Sequence, residues 1–364
     1  MLDPDIEFHR FLSRDNLSKD EYERHPAKLD LDKIDPKLAV HLAAIKKLIN
    51  EMFARNSDKI ETPNGGVTLH LDYIAKPLPP LTRFANAISF TFKGFFFVGI
   101  TYDLVELMNA VCGSLAQSPA TAAFLGIKAD TPAQRDILLA CLFLVQIQFA
   151  IDHEVGHHFH GHTDRRESGL FFSEYLCSAT IDDGDHMEEQ AREVEADGYA
   201  VHMMARSLYQ PETGANLIQR LGPTTLSINE FLVRFLLLCI ASYLILRPQN
   251  AFNPGDVRKP RHPFGTMRLN VVMTDFLGWA SQFKPELMLF ITQATLDDVQ
   301  VAIQKAQPGS QSYSNWTLEG HFLRTPEGET YRADLYRFRE ALRKQMEGRA
   351  WGLRSDESGS SHSE

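Results

Sequence analysis

One long apolar helix, predicted over residues 133–160, constrains this fold more than any other segment. A threonine–proline pair at 131–132 supplies an N-cap residue and a first-turn proline, and a glycine follows at 161. The helix is apolar enough to belong in a core, yet its last turns carry His153, Glu154 and His157. Polar side chains that enter a core need partners or a metal ion. The fold must therefore accommodate a polar site at one end of a buried helix.

The spacing of these three residues predicts a metal site. Residues four apart share one face of a helix, so His153 and His157 can present two imidazole nitrogens to a single tetrahedral ion. Glu154 then lies beside the open coordination position, where a general base takes a proton from water. The alternative is an exposed, histidine-rich helix end. Three further histidines crowd the same stretch: His158, His160 and His162.

The third ligand distinguishes the classes of zinc peptidase that share this motif. A metzincin would have glycine at position 160 and histidine at 163, but the chain has His160 and Thr163, which excludes that class. A gluzincin instead takes a glutamate from a second helix. An aspartate four residues later usually orients a metal-bound histidine through its other nitrogen.

A second helix, predicted over residues 188–208, contains such a pair as Glu193 and Asp197. The two residues share one helix face, close to an apolar stripe that includes Ala200 and Met204. Glu189 falls near the same face and is the alternative ligand. A solvated acidic face is the structural alternative. With Glu193, the sequence predicts a Zn²⁺ site made of two imidazoles and one carboxylate.

Composition excludes several other classes of protein. The 364 residues are 44% hydrophobic and carry a formal net charge of −10 without a basic run, so we expect no nucleic acid partner. The four cysteines lie far apart, form no C-x-x-C pair and are interpreted as buried thiols. No secretory signal is recognisable at the start, and we expect a cytoplasmic protein.

Two apolar stretches, 137–151 and 231–246, are shorter than the roughly 20 residues of a spanning helix, and we interpret them as core helices. Membrane contact is therefore not favoured. A membrane anchor at 231–246 is the alternative.

The remaining pattern predicts an α+β fold that is mainly helical, with a small antiparallel or mixed sheet. We expect an N-terminal helical segment over 1–60 and a main domain over 61–310 with an edge strand near 87–99. A C-terminal hairpin and helix follow over 311–350, the hairpin turning near 325–328. The Ser-rich tail 351–364 is expected to be disordered.

Four motifs, in this order along the chain, resemble those of the CAAX-prenyl-protease and HtpX-like family of gluzincins. The family's N-A motif matches Asn86-Ala87, and H-E-x-G-H-x-x-x-G-H matches residues 153–162. Its E-x-x-A-D helix matches residues 193–197, and its H-P-x-x-x-x-R segment matches residues 262–268. One difference is that the membrane enzymes of that family have several clear spanning helices, whereas this chain has at best one doubtful one.

The resemblance implies a zincin-like core and roles for further residues. Asn86 and Ala87 would begin a strand that binds substrate, and His262 would stabilise the oxyanion; the alternative for His262 is a surface loop histidine. The sequence leaves Arg268 open, either as the partner of an acidic group that orders the His262 loop or as an ordinary exposed charge. The predicted function is a zinc-dependent endopeptidase that acts on a protein or peptide. The alternatives are a catalytically silent, zinc-stabilised binding or regulatory protein and a membrane-associated protease. The sequence makes no prediction about oligomeric state.

Overall fold

The computed structural model describes residues 2–12, 28–56, 68–75, 86–163, 185–245, 252–308 and 311–346. Over these residues the protein is mainly helical with one small mixed sheet, which agrees with the predicted α+β class. Its chain forms two compact units. The first comprises Met1–Asp103, His157–Phe171 and Arg343–Glu364, and the second comprises Leu104–Gly156 and Phe172–Leu342.

The helices and strands follow the chain in this order. The N-terminal half contains α1 (Pro4–Leu12), a 3₁₀ turn (Leu31–Lys33), α2 (Pro36–Asn56), β1 (Thr68–Ile74), β2 (Ala87–Phe92), β3 (Phe95–Thr101), α3 (Tyr102–Gln117), α4 (Pro119–Leu125) and α5 (Pro132–Phe159). The remainder contains α6 (Met187–Leu208), α7 (Pro211–Leu221), α8 (Ile228–Ile245), a 3₁₀ turn (Pro254–Asp256), α9 (Gly265–Phe283), a 3₁₀ turn (Pro285–Leu289), α10 (Gln293–Ala306), α11 (Gln311–Phe322) and α12 (Pro326–Met346). The two helices predicted to carry the site, α5 and α6, agree with their predicted bounds to within one residue.

The sheet has the order β1–β3–β2, with β1 parallel and β2 antiparallel to the central strand β3. The prediction of one edge strand over 87–99 was wrong, because the segment turns back on itself at Lys93 and Gly94. Both residues have positive φ values, 49° and 81°, as a two-residue hairpin turn requires. Within that segment, β2 lies at an edge of the sheet and β3 is the central strand.

Helices α1 and α2 pack with the sheet in the first unit. The ring of Phe11 in α1 stacks on Phe90 of β2 at 3.9 Å between ring centres. In α2, the Asn50 side chain accepts a hydrogen bond from the backbone N–H of Leu71 at 2.7 Å and donates to its carbonyl at 3.1 Å. The predicted boundary near residue 60 therefore falls inside this unit.

Helix α8 forms much of the core of the second unit. Every residue from Phe231 to Ile245 is buried except Arg234, whose guanidinium donates to the Phe124 carbonyl at 3.1 Å. A buried hydrogen bond of 2.7 Å from Gln146 to Ser242 links α5 to α8. Both helices are long and apolar enough to cross a membrane, and the protein itself buries 61% of the apolar window of α5 and 78% of that of α8.

Three of the four cysteines, Cys112, Cys141 and Cys239, are buried free thiols, as predicted. The burial of Cys112 and Cys239 raises the pKa of each thiol. Cys177 lies outside the described residues.

The predicted C-terminal hairpin was wrong, because α11 and α12 occupy its place. The Thr-Pro-Glu-Gly sequence at 325–328 begins a helix: the Thr325 hydroxyl accepts from the backbone N–H of Gly328 at 3.1 Å, and Pro326 opens the first turn. A Cβ atom at Gly328 would lie 2.0 Å from the Phe322 carbonyl oxygen, so this tight helix–helix turn requires glycine. The tail 351–364, predicted to be disordered, lies outside the described residues.

Candidate metal centre

Helices α5 and α6 pack closely against each other at Gly156, the glycine of the histidine motif. A Cβ atom on Gly156 would lie 3.2 Å from the Cα atom of Ala196 and 3.1 Å from the Cβ atom of Tyr199. Because both Gly156 and Ala196 are small, the two helix backbones can approach each other here. His153 is thereby brought to the acidic face of α6.

The side chains of His153, His157 and Glu193 converge. All three are buried, and one ligand atom from each lies within 4.8 Å of those of the other two. Helix α5 continues without a break through residues 156 and 157, so His157 follows His153 by one turn. Two imidazoles and a carboxylate are donors that suit Zn²⁺ and leave a fourth position open.

Within the described chain, Glu193 rather than the alternative Glu189 joins this group. The Oε2 atom of Glu189 lies 3.7 Å from Nδ1 of His186, and that of Glu193 lies 3.3 Å from Nε2 of His153. Glu193 and Glu195 are also buried, which argues against a solvated acidic face on α6. Glu154, the predicted base, is buried as well, directly after His153.

His153 is oriented by a buried ion pair. Its Nδ1 atom lies 2.9 Å from Oδ1 of Asp197, and the Arg268 guanidinium donates to both oxygens of that carboxylate, at 2.7 and 2.8 Å. Burial would lower the pKa of His153, but hydrogen bonds and charge from Asp197 and Glu193 raise it to about 9. Although burial would raise the pKa of Asp197, the Arg268 charge and hydrogen bonds lower it. The Nδ1 atom of His153 therefore faces the Asp197 carboxylate, and Nε2 faces Glu193.

His157 is oriented by a second histidine. Its Nδ1 atom lies 2.9 Å from Nδ1 of His162, which follows the left-handed residue Gly161 at the helix end. Two ring nitrogens at that distance share one proton. If Nε2 of His157 binds a metal ion, its Nδ1–H donates to His162, and His162 carries its own proton on Nε2.

His158 has partners of its own in the first unit. Its Nε2 atom lies 3.0 Å from the carbonyl oxygen of Phe97 and its Nδ1 atom 3.1 Å from the Thr163 hydroxyl, while its ring stacks on Phe96. His157, His158 and His162 are all buried. The alternative of an exposed, histidine-rich helix end is therefore wrong.

The two residues predicted from the H-P-x-x-x-x-R segment both lie near Glu193 and Asp197. The half-exposed His262 places its Nδ1 atom 2.9 Å from Oε2 of Glu193. Arg268 does pair with an acidic group, but that group is Asp197, which supports His153 rather than the His262 loop.

Asn86 and Ala87 stand at the start of β2, in the first unit. The backbone of Asn86 exchanges hydrogen bonds with Thr101, whose N–H and hydroxyl donate to the Asn86 carbonyl at 3.0 and 2.7 Å. Ala87 is buried opposite Ile100. A role of these residues in substrate binding remains a prediction.

Sequence reasoning missed two buried residues near the site. Gln190, one turn before Glu193 on α6, binds the loop that carries His262, and Tyr331 of α12 binds Gln190. The available signal was helical spacing, since positions 190, 193 and 197 share one face. No comparable signal marked Tyr331, because its segment was interpreted as a hairpin.

Comparisons of the chain with protein-family models, with curated proteins and with solved structures found no match.

Proposed function

We propose that this protein is a zinc-dependent metalloendopeptidase with a gluzincin site on a zincin-like core. The observation that carries the proposal is the convergence of His153, His157 and Glu193, with Glu154 adjacent to the first ligand. The Asp197–Arg268 pair adds support, because metal-binding histidines commonly donate their second ring N–H group to a carboxylate. A structural zinc site would not require a buried carboxylate at position 154.

The residues of the chain divide the work of peptide hydrolysis. When bound, Zn²⁺ polarises the scissile carbonyl and lowers the pKa of water towards ~7. Glu154 accepts the proton of the attacking water and transfers it to the leaving amine. His262 donates a hydrogen bond to the oxyanion, which is worth on the order of 3 kcal/mol for one well-placed donor. Its contact with Glu193 keeps it beside the ligand group.

The decisive experiment is the substitution Glu154→Gln, which removes the base and keeps the shape of the side chain. Zinc content is measured by mass spectrometry of the purified protein, and cleavage is measured on β-casein, an unstructured protein substrate. The variant should retain zinc and lose cleavage. The control is Glu188→Gln on α6. The half-exposed Glu188 side chain pairs with Arg192, and its substitution should change neither property.

Cleavage that persists in the Glu154→Gln variant would contradict the mechanism. If the wild-type protein binds zinc but cleaves no peptide bond, the zinc-stabilised binding protein becomes the better explanation.

A further inference from the structure

The loop that carries His262 is held in place by contacts with other elements. It comprises residues 257–264, between the 3₁₀ turn Pro254–Asp256 and α9. Pro260 and Pro263 lie on either side of His262 and have no backbone N–H group to donate. Before His262, the Arg258 guanidinium donates to Asp185 at 3.0 Å and to Asp334 at 2.8 Å, and the Arg258 carbonyl accepts from the N–H of His186 at 2.9 Å. Contacts with other elements therefore fix the position of this loop.

Gln190 of α6 makes such contacts with the loop. This side chain is fully buried, and its Nε2 atom donates to the carbonyl oxygens of Val257 at 2.9 Å and Pro260 at 2.6 Å. Its Oε1 atom accepts from the Tyr331 hydroxyl at 2.5 Å. Both N–H donors of the amide are therefore used, together with one lone pair of the oxygen.

The end of the loop packs against the same tyrosine. The ring of Phe264 stacks on that of Tyr331 with 5.6 Å between centres, and it also contacts Phe252 at 5.2 Å. Tyr331 is buried in this aromatic cluster. One tyrosine thus contacts both Gln190, which binds the start and middle of the loop, and Phe264 at its end.

The position of Gln190 on α6 relates these contacts to the candidate metal centre. Gln190, Glu193 and Asp197 lie at i, i+3 and i+7, on one face of the helix. His262 lies two residues beyond Pro260, to which Gln190 is bonded, and contacts Glu193 at 2.9 Å. The same helix face therefore carries the group that binds the loop and the carboxylate that the loop histidine reaches.

We propose that Gln190 is a positioning residue that holds His262 beside Glu193. The inference rests on the proposed peptidase function, and it adds a residue that acts on the reaction only through His262. A purely structural role for Gln190 would instead affect the protein independently of His262.

A double-substitution cycle separates these two roles. Gln190→Met keeps the length of the side chain and removes its amide. It should lower kcat for β-casein about tenfold or more with little change in KM, since a displaced oxyanion donor loses much of its effect. In a His262→Ala background the same substitution should cause no further loss. Equal losses in both backgrounds would overturn the proposal.

Hydrogen exchange of the loop provides a measurement that does not depend on cleavage. Backbone amides in the peptide 257–262 should exchange faster in Gln190→Met while zinc content stays unchanged. The matched control is Gln146→Met, the same substitution at a buried glutamine that bonds Ser242, which should leave exchange in the loop unchanged. If the wild-type protein cleaves nothing, the proposed function fails, yet loop exchange still tests the anchoring by Gln190. Unchanged exchange would overturn it.

Tyr331→Phe serves as a second variant if Gln190→Met does not fold. It removes only the hydroxyl that donates to Gln190 and keeps the ring that stacks on Phe264. The expected effects on kcat and on loop exchange have the same direction and are smaller. A Tyr331→Phe variant whose kcat falls equally with and without His262 would also contradict the proposal.

Discussion

Two groups of acidic and histidine side chains in the described part of the chain come close enough to hold one cation: His153, His157 and Glu193, and Asp5, His70 and Asp72 in the first unit. Their charge balance differs. In the second group, the ammonium of Lys46 lies 2.6 Å from Asp5 and 2.9 Å from Asp72, and that of Lys28 lies 3.0 and 3.1 Å from the same two carboxylates. Two positive side chains therefore already neutralise two negative ones.

The group at the end of α5 is arranged differently, because its arginine does not pair with a ligand carboxylate but with a residue that supports a ligand. Arg268 neutralises Asp197, and Asp197 in turn supports His153. The ligand carboxylate Glu193 meets the imidazoles of His153 and His262. The comparison teaches that proximity of ligand atoms does not by itself make a metal site. A metal site also requires that no lysine or arginine already neutralises the ligand carboxylates, so that the ion itself supplies the positive charge.

The largest expected difference between the two groups is in zinc content. Glu193→Ala removes a ligand and should strip zinc from the purified protein, whereas Asp72→Asn should leave the zinc content unchanged, because its lysine contacts already satisfy that carboxylate. Mass spectrometry of metal content measures both. Loss of zinc from Asp72→Asn, or from the control Glu189→Ala in place of Glu193→Ala, would show that the ligands are assigned wrongly.

The next largest effect is expected from the carboxylate of Asp197, which contacts His153. Asp197→Asn keeps the shape of the side chain and removes its charge, so zinc affinity should fall about 10- to 100-fold in competition with a chelator. The buried Arg268 loses its charge partner, and the free energy of unfolding in urea should fall by about 3–5 kcal/mol. Unchanged zinc affinity would mean that Asp197 serves only to neutralise Arg268.

A smaller effect on zinc affinity is expected from substitution of His162, because the partner of His157 is a histidine and not a carboxylate. His162→Phe removes the acceptor for the Nδ1–H group of His157 and should lower zinc affinity about tenfold. His162→Asn retains an acceptor oxygen and should lower zinc affinity less. The absorption spectrum of the Co²⁺-substituted protein, together with chelator competition, measures the geometry and affinity of the site. If the two variants lower zinc affinity equally, the hydrogen bond between His162 and His157 does not orient His157.

Helical spacing made most of the site predictable from sequence. His153 and His157 are four residues apart on one helix, and Glu193 and Asp197 are four apart on another, so local periodicity alone places each pair on one face. The two helices approach at Gly156 and Ala196, which the motifs contain but whose contact no local rule predicts.

The errors arose where a local signal has two interpretations that only tertiary contacts distinguish. Threonine and proline before Glu327 and Gly328 suit a turn or a helix start, and the contact of Gly328 with the Phe322 carbonyl belongs to the helical arrangement. The partner of Arg268 could not be identified either, since Asp197 is 71 residues away in sequence. Gln190 was overlooked for the same reason, because its partners are distant in the chain.

The smallest expected effect tests the lysine-neutralised group. Burial would raise the pKa of Asp5, but hydrogen bonds and charge from Lys46 and Lys28 lower it below its usual range. Because the folded pKa is lower than the unfolded value of about 3.9, this carboxylate stabilises the fold at higher pH, and the contribution fades as the pH falls from about 4 towards the folded pKa.

Asp5→Asn should therefore lower the free energy of unfolding at neutral pH by about 1 kcal/mol or less, since the side chain is 46% exposed and solvent screens its ion pairs. Urea unfolding of both proteins as a function of pH measures this difference. It should shrink in acid and in high salt, while zinc content stays unchanged. A difference that persists in acid would have to come from packing, and loss of zinc from this variant would contradict the view that the two lysines already fill the role of a cation.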